Sequence, residues 1–187
     1  MQKKIIALAV AGLVSGAAFA QSNVTVYGAV DLSMNLMTGS ANGSKSQTLM
    51  ASGENHWTGI GFKGTEDLGN GLSATFDLLA QFDATNGANQ TDRLFARNAT
   101  VGLASKSFGE VQFGRRQSFT DQLLGGFDAS GRQTMHQASA LMKSPGRYDN
   151  MVAYESARWN GFQVKLGGST GIDGNRTPVE NTAATQA

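Results

Sequence analysis

Between Leu72 and Phe82 every second residue is apolar. Leu72, Ala74, Phe76, Leu78, Ala80 and Phe82 alternate with Ser73, Thr75, Asp77, Leu79 and Gln81. Successive side chains of a β-strand point to opposite faces, so this run predicts a strand with one greasy side and one mostly polar side. A shorter run before it has the same period, with Ile60 and Phe62 set between Gly59, Gly61 and Lys63. The two are joined by Gly64-Thr65-Glu66-Asp67-Leu68-Gly69-Asn70-Gly71. Asn and Gly tolerate the positive φ that a tight reversal needs. Residues 56–82 thus predict a β-hairpin with a single apolar face.

The rest of the chain repeats the design. Alternating runs predict further strands at 24–34, 93–103, 110–116, 147–155 and 162–169. The connections 35–55, 83–92 and 117–146 are polar or irregular and mostly long, with a helical turn expected at 135–142. Those at 64–71, 104–109 and 156–161 are short. Long and short connections alternate, as they do in up-and-down outer-membrane barrels. Strands of ~9–11 residues cross such a membrane. The expected fold is therefore all-β, an up-and-down antiparallel transmembrane β-barrel. The alternative is a secreted soluble β-sandwich acting as a binding module or adhesin, which gives no reason for the rhythm. Two arginine positions are not settled by parity. Arg97 shares parity with Ala99, Val101 and Leu103, which implies a bulge or a nearby chain reversal. Arg116, rather than Arg115, falls on the face opposite Val111 and Phe113.

The first twenty residues read as a cleavable secretory signal. Lys3-Lys4 is the basic start, 5–14 the apolar core, and Ala18-Phe19-Ala20 the small-x-small cleavage site before Gln21. After Ala20 no apolar run approaches the ~20 residues of a transmembrane helix, so any crossing uses strands. Without Lys3 and Lys4, 13 of the 15 basic residues face 14 acidic ones, a balance that argues against a nucleic-acid partner. The chain has no Cys, and His56 and His136 lie in separate loops, so no metal site is expected. Gly59-Ile60-Gly61-Phe62-Lys63-Gly64 fits G-x-G-x-x-G, but a dinucleotide site needs a helix after it, and here a turn and a strand follow. No cofactor is expected. No G-x-S-x-G nucleophile motif occurs, and the chain is not expected to be an enzyme.

Several ordered motifs carry a family resemblance. They are Val24-Thr25-Val26-Tyr27-Gly28-Ala29-Val30-Asp31, Gly61-Phe62-Lys63-Gly64-Thr65-Glu66-Asp67-Leu68-Gly69-Asn70-Gly71-Leu72, Leu94-Phe95-Ala96-Arg97, Val101-Gly102-Leu103, Phe108-Gly109-Glu110-Val111 running to Gly114-Arg115, and Arg147-Tyr148-Asp149-Asn150. In these the chain resembles the Gram-negative general porins of the Neisseria and Burkholderia type. The resemblance implies a roughly sixteen-stranded, homotrimeric barrel in the outer membrane, with lipids outside and small hydrophilic solutes and ions passing through an aqueous channel. It also implies that loop 117–146 folds into the lumen. By motif position, Arg97, Arg115 and Arg147 are the basic wall candidates, and Asp121 and Asp128 the acidic loop candidates. Lys63 and Lys165 join the pore-lining set, since a charge on the lipid face at mid-bilayer costs ~2–4 kcal/mol. Tyr148, Tyr154 and Trp159 fit interfacial girdles. Two departures stand out. Thr58-Gly59 occupy places where the family often has Ser-Arg, a departure that implies one basic wall residue fewer and weighs against strong anion selectivity. The chain also ends after about seven strands without a terminal aromatic, which reads as a fragment, because an open sheet edge cannot be left in hydrocarbon.

Overall fold

The computed structural model describes residues 23–37, 46–128 and 146–172. The leader, the 135–142 turn and everything past 172 lie outside the described residues. The elements in order are β1 (Asn23–Ala29), β2 (Leu32–Met37), β3 (Gln47–Ser52), β4 (Gly59–Gly69), β5 (Leu72–Gln81), β6 (Asn98–Ser105), β7 (Gly109–Gln117), α1 (Phe119–Phe127), β8 (Arg147–Glu155) and β9 (Lys165–Ile172). Seven of the strands form one antiparallel sheet in the order β1-β4-β5-β6-β7-β8-β9, an up-and-down meander, while β2 and β3 pair only with each other.

The register lines the apolar residues up on one face. Val26 lies opposite Phe62, Phe62 opposite Leu78, and Leu78 opposite Ala99. A second row runs Phe76, Val101, Phe113, Val152. This face is uncovered: Val26 is 60% exposed, Val101 58%, Val152 50% and Leu166 61%. A sandwich would bury these side chains beneath a second sheet, and no described element does so. Among the described residues the buried apolar ones are few, namely Leu79, Ala80, Ala96, Met151 and Ala153. Such a sheet is stable only with hydrocarbon against its apolar face.

The predicted hairpin forms with Asn70 and Gly71 at its tip, at φ 53° and 76°. Positive φ at both positions is the primed turn whose twist matches the flanking strands. Asn160-Gly161 makes a second such reversal, φ 49° and 89°, and Trp159 bridges to Phe162 across it. The strand expected from Phe162 begins only at Lys165.

Three other expectations change. The strand expected at 24–34 is broken at Val30-Asp31, where the chain leaves the large sheet. Asp31 explains the break. Its Oδ2 accepts from the N–H groups of His56 and Asn55 at 2.8 and 2.7 Å. Its own N–H donates to Thr58 Oγ1 at 2.9 Å, and that hydroxyl donates to the Asp31 carbonyl at 3.0 Å. These bonds satisfy groups that a continuing ladder would have used, and they send the chain into β2. The polar stretch 35–55 is also more than a loop, for β3 lies within it. The strand expected from 93 starts at Asn98, so Arg97 precedes it and the parity conflict disappears.

Among the described residues one helix interrupts the all-β pattern. Ser118 caps α1, its Oγ accepting from the Asp121 N–H at 3.0 Å, and the Ser118 N–H donates to the Gly146 carbonyl at 3.1 Å. The chain thus leaves the wall for its long loop and rejoins it at one point.

Candidate functional site

The polar face of the sheet carries the charges. Lys63 on β4 sits directly across from Asp77 on β5, the opposite-charge pairing that stabilises a ladder. Asp77 also accepts from the Tyr27 hydroxyl and from Asn98 Nδ2, the latter at 2.8 Å. Gly61 makes the tyrosine bond possible. A Cβ there would stand 2.6 Å from Tyr27 Cζ, so only glycine lets the ring lie across β4 towards Asp77. Lys63 Nζ lies 5.2 Å from the centroid of the same ring.

Above this row the wall forms a concavity of about 330 Å³ lined by Tyr27, Trp57, Lys63, Asp77, Leu79, Arg97, Asn98, Gln117 and Arg147. Three of the basic residues proposed from sequence, Lys63, Arg97 and Arg147, meet here although they come from β4, the segment before β6, and β8. Arg147 Nε donates to the Arg97 carbonyl at 3.1 Å, and the Arg97 guanidinium stacks 5.1 Å from the Trp57 ring. The lining holds three cations and one carboxylate.

The other proposed residues lie elsewhere. Arg115 is held in the wall, its Nη1 2.6 Å from Asp149 Oδ1 and its Nε donating to the Ala96 carbonyl at 2.6 Å. Arg93 pairs with the same Asp149 at 2.8 Å. Arg116 is buried on the polar face, Nη2 2.6 Å from Glu155 Oε1 and Nη1 donating to Gln112 Oε1 at 2.7 Å. Both arginines are engaged because β7 and β8 slip by one residue between Gly114 and Arg116, beside Asn150 at φ 49°. Tyr148 lies opposite Arg116 beyond this slip, so plain alternation no longer assigns its face, whereas Tyr154 lies between Val111 and Leu166 on the apolar face. Lys165 pairs with Glu155 at 2.8 Å and reaches Gln122 on α1. Asp121 is buried in the first turn of α1 and accepts from Gln117 Nε2, and Asp128 caps the end of that helix. Arg115, Lys165, Asp121 and Asp128 do not line the concavity.

Sequence reasoning had left Tyr27, Trp57, Asp77 and Asn98 out of the site. Tyr27 and Asp77 were open to it, since both have polar-face parity in clean strands. Trp57 was not, because it precedes β4. Among the described residues no group of His, Asp and Glu has the geometry to hold a metal ion.

An up-and-down sheet with an uncovered apolar face and a charged, concave inner face is part of the wall of a transmembrane β-barrel. The comparisons with known proteins agree. Residues 7–187 match the Gram-negative porin family, and the chain belongs to that family and to the outer membrane. It is 34% identical to an outer membrane porin protein of Bordetella pertussis over 89% of this chain and 48% of the relative. It is 35% identical to outer membrane porin protein 32 of Delftia acidovorans, over 89% and 49%. The solved anion-selective porin from Comamonas acidovorans superposes with a TM-score of 0.66 at 27% identity, covering 79% of this chain and 46% of that one. The chain spans about half the length of the curated relatives it matches.

Proposed function

We propose that this chain supplies part of the wall and the constriction of a water-filled outer-membrane channel, through which small hydrophilic solutes and ions diffuse passively. The observation that carries the reading is the meeting of Lys63, Arg97 and Arg147, from three separate segments, at one inner-wall concavity. Fixed charges facing water at a narrow point filter ions by sign. Three cations to one carboxylate favour anions, in keeping with the anion-selective porin the fold resembles. Loop 117–146 starts from this same wall and narrows the lumen, and the working unit is a homotrimer of complete barrels. Transport of this kind needs no catalytic group and no cofactor.

The test is a planar-bilayer recording of the complete barrel. Discrete, ohmic conductance steps with a reversal potential displaced towards the anion potential in a salt gradient are expected. A correctly folded, heat-modifiable barrel that gives no steps would overturn the reading.

A further inference from the structure

Helix α1 rests on the wall through one aromatic ring. The Phe119 centroid lies 4.7 Å from the Arg116 guanidinium on β7 and 5.5 Å from Lys165 Nζ on β9. Both distances are within the ~6 Å over which a cation is drawn to a ring face. The two cations share one carboxylate. Glu155 on β8 takes Arg116 on Oε1 at 2.6 Å and Lys165 on Oε2 at 2.8 Å. One negative charge thus serves two positive ones, and the ring meets the remainder. Arg116 Nε is buried with no hydrogen-bond partner among the described residues, so its guanidinium is not fully satisfied by Gln112 and Glu155. The floor of the seat is cut to fit. A Cβ on Gly167 would come 3.2 Å from Phe119 Cε2 and 2.6 Å from Met151 Cε. Lys165 also bonds Gln122 one turn along the helix, at 3.3 Å.

We propose that Phe119 is a positioning residue. Its ring, held between Arg116 and Lys165 by way of Glu155, seats α1 against the inner wall and so holds the first part of the constriction loop at a fixed distance from the lumen axis. This deepens the channel reading and rests on it for its consequence. The seat itself is a property of the fold. Three strands contribute to it, so the helix cannot lift without separating the ring from both cations at once.

The experiment uses the complete barrel in detergent and in bilayers, with Phe119→Leu, Phe119→Tyr and Glu155→Gln. Leucine keeps apolar bulk without a π face, tyrosine keeps the face, and Glu155→Gln spares the ring while loosening both cations. Hydrogen exchange of the α1 amides is read against those of β5 and β6. In Phe119→Leu and Glu155→Gln, exchange in α1 should rise roughly tenfold, the factor matching about 1.4 kcal/mol of lost cation–ring attraction, with β5 and β6 unchanged. Open-channel current noise should rise with it, and Phe119→Tyr should restore both. Equal exchange in wild type and Phe119→Leu would overturn the proposal, as would Phe119→Tyr loosening α1 as much as leucine does. A barrel that conducts nothing, yet shows the α1 exchange pattern, would keep the seat and remove the channel reading instead.

Discussion

Arg147 Nε donates to the backbone carbonyl of Arg97 at 3.1 Å, across 50 residues of sequence. The bond joins the first residue of β8 to the chain just ahead of β6, and it sets two guanidinium groups on one stretch of wall. Two like charges repel, so they remain neighbours only if each is held independently. Arg97 has the Trp57 ring, and its N–H donates to the Leu79 carbonyl at 3.1 Å. Arg147 has the Arg97 carbonyl and the strand that begins at its own position. The wall thus keeps its positive charge concentrated rather than spread.

Replacing Arg97 and Arg147 together with Ser should move the reversal potential of the complete barrel towards the cation potential. A unit charge ~4 Å away in water contributes about 1 kcal/mol, so each lost cation should lower local anion occupancy roughly fivefold. Salt-gradient recordings in a planar bilayer check this, and added salt should shrink the difference as screening grows. A potential equal to that of the wild type would show that these side chains do not face the conducting path. Trp57→Ala should shift it less, since it frees Arg97 without removing the charge.

Asp31 ties the junction of β1 and β2 to residues 55–58, and that tie depends on its charge. The N–H groups of His56 and Asn55 favour the carboxylate and hold its pKa below the ordinary aspartate value. A carboxylate with a lowered pKa in the folded state contributes fully above its unfolded value of about 3.9 and loses that contribution as pH falls through the folded value. Protection of the His56 and Asn55 amides from hydrogen exchange should therefore be steady from neutral pH down to about 4 and decline below it, after correction for intrinsic rates. Asp31→Ala should abolish the protection at every pH. Protection that persists in the variant would assign the loop's order to other bonds.

What could be read from the sequence follows from where the period of two holds. In β5 it holds from end to end, and the hairpin, its turn and its apolar face all form as the pattern predicts. Trp57 and Arg97 stand just before β4 and β6, and the run expected from 93 had put Arg97 within a strand, so their stacking has no sequence signal. Parity did favour Arg116 for the polar face, where it meets Glu155. It could not show that a slip beside Asn150 also turns Arg115 onto Asp149. The β2–β3 pair went unseen because Leu49 and Met50 are adjacent rather than alternate. Helix α1 carries two glycines within nine residues, which lowers its propensity. Its one signal was Ser118 three residues ahead of Asp121, a cap that packing on the wall completes.

Two glycines on β4 separate fold from site. A Cβ on Gly59 would run into the carbonyl oxygen of Ala80, which is backbone and cannot yield without moving β5. Gly59→Ala should therefore lower stability by about 1–3 kcal/mol, the usual penalty of overpacking. A Cβ on Gly61 meets the Tyr27 ring and the end of Leu79, side chains that can turn aside. Gly61→Ala should cost about 1 kcal/mol or less, yet it should break the Tyr27–Asp77 bond and alter conductance. Urea midpoints of the two variants in detergent, beside their single-channel currents, test the separation, and equal midpoints would contradict it.

Because the Ser118 N–H bonds the Gly146 carbonyl at 3.1 Å, the two ends of the long loop already touch. A segment whose ends meet can be removed and closed with a short linker at little cost in loop entropy, which rises only slowly with length. Deleting 119–145 in the complete barrel should leave β7 and β8 paired through Gln117 and Arg147. If the loop narrows the lumen, the deletion should raise single-channel conductance and admit larger neutral solutes while ion selectivity weakens. Liposome swelling with sugars of graded size measures the second effect without any electrical reading. A barrel that folds after the deletion but keeps its conductance and its size limit would place the constriction on the wall itself, at Lys63, Arg97 and Arg147.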